Sequence, residues 1–181
     1  MRIYLLETAR LGLRTWLASD LDPFAEMNQD PRVMEFFPRT FTYEESKKGI
    51  DTFNQHYEEH GFTYYAVDRL DSSDFIGFIG IKHQTFDSHF TPCIDIGWRL
   101  AVDAWGKGFA TEGAKACLDH AFRQLNLSEI YSTTPLLNTP SKRVMQKIGM
   151  QFAGEFDHPK IPVDSPLNRC CLYKAGRSDY M

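Results

Sequence analysis

The chain has 181 residues, of which 43% are hydrophobic and 24% charged, and a formal net charge of −4. That is the composition of a globular chain long enough for one domain with a real core, here taken as residues 1–181. The negative charge and the lack of any long basic run exclude a nucleic-acid footprint. No apolar run is long enough to cross a bilayer, so no membrane partner is expected.

No basic-then-apolar signal pattern opens the chain, and a cytoplasmic location is expected. The four cysteines, Cys93, Cys117, Cys170 and Cys171, form no CxxC pair. Free thiols in a reducing compartment and no bound metal are therefore expected.

In chain order, Leu11 and Leu13 alternate with Gly12 and Arg14, the pattern of a half-buried strand. Ser19 or Asp20 is placed to cap a short helix over Leu21–Asn28, and Val33–Phe37 reads as another helical turn after Pro31. Thr42 and Glu45 have capping-box spacing for a helix that runs to about His60 and stops at Gly61. Ile50, Phe53 and Tyr57 form its apolar stripe.

Three strands follow, Phe62–Asp68, Phe75–Lys82 and Cys93–Leu100, with the spacing of antiparallel neighbours. A glycine-rich turn then opens a helix whose inner face, Ala110, Gly113, Ala114, Cys117 and Ala121, is small enough for close approach to a sheet. Ile130–Thr134 reads as a strand and Pro140–Ile148 as a short helix. Met150–Phe156 and Arg169–Lys174 close the pattern, His158–Pro166 reads as loop, and Ser178–Met181 as a frayed tail. The sum is a mixed α/β chain with about seven strands, mostly antiparallel, and about four helices.

The turn before the third long helix is Trp105-Gly106-Lys107-Gly108-Phe109-Ala110. Glycines at a strand-to-helix junction suit phosphate, because backbone N–H groups converge there and the helix N-terminus favours negative charge. No GxxxxGK[ST] string occurs, so this is not a Walker A loop. A dinucleotide fingerprint needs Gly or Ala three residues beyond Gly108, and that position is Thr111. A plain tight turn before a packed helix stays open on these residues alone.

This stretch resembles the pyrophosphate loop of the GNAT acetyltransferases, Q/R-x-x-G-x-G/A, with Trp105 in the first position and Gly108 and Ala110 in the last two. Four other segments resemble the same family in the same order. They are ETARLGLRTW from Glu7, IDIGWRL from Ile94, NTPS from Asn138 with VMQKIGM after it, and PLNRCCLY from Pro166. Within the family they are most similar to the branch that acetylates the N-termini of ribosomal proteins.

The resemblance implies the GNAT fold, acetyl-coenzyme A as donor and a primary amine as acceptor, either a protein N-terminus or a small molecule. It implies direct attack of the amine on the thioester, in a monomer or homodimer. It assigns the pyrophosphate to the N–H groups of Trp105, Gly106, Lys107, Gly108, Phe109, Ala110 and Thr111, and the thioester end to Ile96, Gly97 and Trp98. Asn138 is assigned to the pantetheine arm, with a helix cap as its alternative. Ser141 is assigned to the leaving thiolate, with a purely structural role as its alternative.

The tyrosine that many members carry on the fourth helix has no counterpart between Arg143 and Gln146. A non-catalytic acyl-coenzyme A-binding module is therefore the rival class. Asp95 breaks an apolar strand run and is the first candidate base; a solvent-facing or ion-paired strand residue is the alternative. Glu35, Phe36, Phe37 and Trp98 are placed around the acceptor.

Overall fold

A computed structural model describes residues 2–180. The elements are β1 (Leu6–Glu7), β2 (Leu11–Arg14), α1 (Leu21–Gln29), α2 (Tyr43–His60), β3 (Tyr64–Arg69), β4 (Phe75–Gln84), β5 (Cys93–Leu100), α3 (Phe109–Arg123), β6 (Glu129–Pro135), α4 (Thr139–Lys147), β7 (Gln151–Asp157) and β8 (Arg169–Gly176). They build one eight-stranded sheet in the order β1-β2-β3-β4-β5-β6-β8-β7. Every neighbouring pair is antiparallel except β5 and β6, which run parallel. Four α-helices match the expectation. The count of strands is one higher, because Leu6–Glu7 pairs with Gly12–Leu13.

Strand alternation sorts the core onto two faces. Ile79, Ile81 and Ile96 pack with Ala114, Cys117, Leu118 and Ala121 of α3. Phe78 and Ala66 turn the other way, onto Trp16, Phe24 and Ile50 beneath α1 and α2. α3 approaches the sheet closely because Gly113 has no side chain: a Cβ there would lie 2.5 Å from Ile79 Cδ1. The capping box of α2 is present, with Thr42 Oγ1 accepting from Glu45 N–H at 3.1 Å and Glu45 Oε2 from Thr42 N–H at 2.9 Å. Gly61 ends the helix at φ 77°.

Four local expectations are corrected. β2 is buried along its whole length rather than on alternate residues. Arg14 is 2% exposed because Asp20 and Asp68 clamp its guanidinium from two sides, at 2.6–2.8 Å. Asp20 is thus committed to Arg14 and to the Leu17 N–H, and no side chain caps α1. Val33–Phe37 forms turns, not helix. The tail is not frayed as far as Tyr180, whose ring packs on Phe122 and whose hydroxyl donates to the Ile148 carbonyl. Met181, the rest of that segment, lies outside the described residues.

Candidate active site

The chain leaves β5 through a short 3₁₀ turn, Val102–Ala104, and enters α3 by way of Gly106 and Gly108. Both glycines are left-handed, at φ +72° and +82°, a region that other L-residues enter at a cost. A Cβ on Gly106 would meet nothing within 4 Å, so the turn itself, and not crowding, selects glycine there. Gly108 is the residue before α3, and no side chain caps the helix. As a result, the N–H groups from Gly106 to Thr111 donate to no acceptor among the described residues; the first satisfied one is Glu112, on the Gly108 carbonyl. This is the donor set that a pyrophosphate needs, gathered at the positive end of a 15-residue helix.

Arg10 braces the loop from outside. Its Nε donates to Glu112 Oε2 at 2.7 Å, its Nη1 to the Lys107 carbonyl at 3.0 Å, and its guanidinium lies 4.6 Å over the Phe109 ring. Trp105 braces it from inside, its indole N–H donating to the Leu100 carbonyl at 2.8 Å.

The loop opens onto a cleft of about 830 Å³. Its floor is the gap between β5 and β6. These strands share a single registered pair, Asp95 with Tyr131, and then diverge. The Ala101 N–H donates to the Ile76 carbonyl of β4 and the Ile96 carbonyl meets Ser132 of β6, so two-residue alternation turns the peptide groups of Ile96 and Trp98 toward β6. The Ile96 carbonyl accepts from the Ser132 hydroxyl at 2.9 Å, which holds the mouth of the gap. Beyond it the Trp98 peptide group faces the cleft. α4 forms the opposite wall. Asn138 caps it, accepting from Ser141 N–H at 3.2 Å, while its amide donates to Thr134 at 2.9 Å. The cap reading of Asn138 therefore holds, although the residue also lines the cleft. Ser141 lines it one turn on, with no protein partner for its hydroxyl among the described residues.

On the far face of β5, Asp95, Gly97 and Arg99 form a row. Asp95 is half-buried and lies in no ion pair among the described residues. Its Oδ1 accepts from Tyr64 Oη at 2.6 Å and from Gln84 Nε2 at 3.1 Å, and no side chain among the described residues donates to Oδ2. Burial pushes its pKa up to about 6, against the two hydrogen bonds and the charge of Lys82, which pull it down. Burial and the adjacent carboxylate hold the Tyr64 phenol well above its ordinary value, so it stays a donor. A Cβ at Gly97 would lie 3.1 Å from Tyr64 Oη, a tight contact that would displace the phenol by a few tenths of an ångström.

The cleft gathers Glu35, Phe36, Phe37, Asp95, Ile96, Gly97, Trp98, Trp105, Gly106, Gly108, Phe109, Ala110, Thr111, Asn138 and Ser141. Lys107 is the exception. Its side chain is exposed and borders a separate surface hollow with Arg10 and Arg69, so it lends the cleft no point charge. Sequence reasoning missed Arg10, Tyr64, Gln84 and Arg99. Alternation along CIDIGWRL was a signal for Arg99, which shares a face with Asp95. Tyr64 and Gln84 come from other strands and carry no local signal. Outside the cleft, His56, His60 and His83 bring ligand atoms within 4.8 Å of one another, off the cysteine pattern on which the expectation of no metal rested. No helix among the described residues is long and apolar enough to cross a membrane.

The family model described as "Acetyltransferase (GNAT) domain" matches residues 10–151. The uncharacterized N-acetyltransferase YnaD of Bacillus subtilis is 32% identical over 152 residues, 83% of this chain and 85% of that protein. A GNAT-family acetyltransferase structure from Bacillus anthracis is 28% identical, with a TM-score of 0.79 over 96% of this chain and 98% of that one. A spermidine N-acetyltransferase from Vibrio cholerae, solved with CoA and spermine, shares the fold at 19% identity and a TM-score of 0.74, over 96% of this chain and 99% of that one.

These findings favour no single branch, so the resemblance to the ribosomal N-terminal branch narrows to the family as a whole. Acetyl-coenzyme A is the donor and an amine the acceptor. With a strand-to-helix loop of free N–H groups, a splayed strand pair and a family model spanning most of its length, the chain belongs to the GNAT acetyltransferases.

Proposed function

We propose that the cleft catalyses direct transfer of acetyl from acetyl-coenzyme A to a primary amine, with Asp95 as the base. The observation that carries this is the state of the Asp95 carboxyl: two donors are spent on Oδ1, no side chain among the described residues donates to Oδ2, and the residue lines the cleft. Bound acetyl-coenzyme A supplies an electrophilic thioester carbon. The N–H groups of Gly106 to Thr111 hold its pyrophosphate, and the Trp98 N–H in the strand gap donates to the thioester oxygen as charge builds there.

The neutral amine attacks the carbon, the C–N bond forms and the C–S bond breaks. Asp95 takes the proton that the nitrogen loses on attack, and the Ser141 hydroxyl donates a hydrogen bond to the departing thiolate. An α-amine, with a pKa near 8, is roughly 10% neutral at pH 7, whereas a lysine amine is about 250-fold scarcer in that form. A carboxylate that titrates at about 6 is about nine-tenths ionised at pH 7, so it stands ready to accept.

The test is the pH dependence of kcat/KM in wild type and Asp95→Asn, followed by release of free thiol. Wild type is expected to lose activity below about pH 6, where Asp95 takes up a proton. The asparagine variant retains an acceptor for Tyr64 and Gln84 but has no base, and is expected to lose roughly 10²–10⁴ in kcat together with that acid limb. An unchanged limb in the variant would assign the titration elsewhere and remove Asp95 from the chemistry.

A further inference from the structure

Four residues along β5 from Asp95, on the same face, lies Arg99. It is the cleft's second charged residue on that face, and its situation is the inverse of Arg14's. Arg14 is buried between two carboxylates. Arg99 has no carboxylate within ion-pair distance among the described residues. Its one hydrogen bond runs from Nη1 to Asn28 Oδ1, at 2.7 Å. The amide of Asn28 is itself fixed, because its Nδ2 donates to Ser46 Oγ at 3.0 Å and Ser46 donates on to the Thr42 carbonyl at 2.9 Å. A neutral acceptor is thus locked toward Arg99, which orients the guanidinium and leaves its charge uncancelled.

Three aromatic rings surround the guanidinium carbon, Phe37 at 4.1 Å, Phe41 at 5.3 Å and Phe78 at 5.4 Å. Burial among them pulls the pKa of Arg99 down to about 10. Among the described residues, its Nε is the one buried side-chain polar atom left without a hydrogen-bond partner. Nη2 also donates to nothing in the protein among the described residues. Nε and Nη2 share one edge of the planar group, and two parallel N–H bonds from such an edge match the two oxygens of a carboxylate. Leaving a cation unpaired in such surroundings is costly unless a ligand pairs it. Arg99 lines the same cleft as Asp95, and between them the Tyr64 phenol packs over Gly97.

We infer that the acceptor is an amino-carboxylate: its amine meets Asp95 while its carboxylate pairs with the free edge of Arg99. This rests on the reading of the cleft given above. Four residues of strand separate the two backbone positions by about 13 Å, within reach of a short amino acid extended between the two side chains. Phe36 and Phe37 border the path and suit an apolar spacer.

The test uses matched pairs of acceptors, γ-aminobutyrate against its amide and glycylglycine against glycylglycinamide, with thiol release from acetyl-coenzyme A as readout. Wild type is expected to favour each acid over its amide by about 30-fold or more in kcat/KM, chiefly through KM. In Arg99→Met, and in Arg99→Lys as the variant that keeps a charge, that ratio is expected to fall to within about threefold and about tenfold of unity, respectively. Thermal melts establish that both variants fold.

A second readout does not depend on turnover. The ¹⁵Nε–¹H signal of Arg99 is followed as each acid or amide is added to the protein saturated with coenzyme A, and a shift is expected with the acids only. Turnover without acid preference, or a preference that survives in Arg99→Met, overturns the inference and leaves the transferase reading standing. An acid-specific shift without turnover supports the Arg99 subsite and counts against the role given to Asp95. Neither shift nor turnover with any acid overturns the inference.

Discussion

Two donors on one oxygen of Asp95 make the positioning of the proposed base separable from the base itself. Tyr64→Phe removes the shorter hydrogen bond and keeps the ring stacked on Phe78, 5.1 Å away. The lost bond stabilises the ionised carboxyl, so its removal raises the Asp95 pKa further. The acid limb of the rate profile is expected to move above pH 6, with a smaller fall in kcat than in Asp95→Asn. A limb that stays in place would mean that the phenol does not control the carboxyl. At this scale the sequence was partly legible. Asp95 stands out in CIDIGWRL as a charge in an apolar run, and the two glycines before α3 stand out by spacing. The partners of Asp95 did not, because Tyr64 reaches it from β3 across β4, and a one-dimensional pattern holds no cross-sheet distance. Asn138 shows the opposite difficulty: one residue both caps α4 and lines the cleft, so neither of its two readings excluded the other.

The elements carry the site by close approach and by divergence. α3 lies near enough to the sheet to aim its N-terminus at the cleft because its inner face is built of small residues. Gly113→Leu is expected to push the helix off Ile79 and Leu11, at a cost of about 2–3 kcal/mol, read as a lowered Tm with weaker acetyl-coenzyme A binding. Gly113→Ala is the control, since the contact is with the flexible end of Ile79 and alanine gains about 1 kcal/mol of helix propensity. An unaffected leucine variant would deny that the packing sets the helix position. β2 makes a different contribution. Arg14→Met strands Asp20 and Asp68 together in the interior, and the expected loss is about 3–5 kcal/mol, a drop of roughly 10 °C in Tm. The pattern Leu-Gly-Leu-Arg gave the strand but put Arg14 on the wet side. Alternation assigns a face; it does not say that two aspartates from elsewhere will make that face dry.

Across the whole molecule, the order of helices and strands, the antiparallel character of the middle and the family were all present in the string. Periodicity and caps marked the long elements, and motif order marked the family. The extra strand was missed because Leu6–Glu7 is only two residues long, too short to show a period. The ordered tail was missed because the partners of Tyr180, Phe122 and Ile148, are far away in sequence. The insertion of β8 between β6 and β7 is a property of the assembled sheet, with no local signal. What joins these scales is the cleft. The parallel pair β5 and β6 part after one registered residue, and α3 points its unsatisfied N–H groups at the opening.

The most direct measurement is calorimetric titration of the purified protein with acetyl-coenzyme A, beside a Gly108→Glu variant shown by circular dichroism to be folded. One saturable site in wild type, weakened at least about 100-fold in the variant, is the expected result, because glutamate both strains the left-handed turn at φ +82° and sets a carboxylate at the proposed pyrophosphate site. Equal affinity in the two proteins would mean that the donor is held elsewhere and that the glycines serve only the turn.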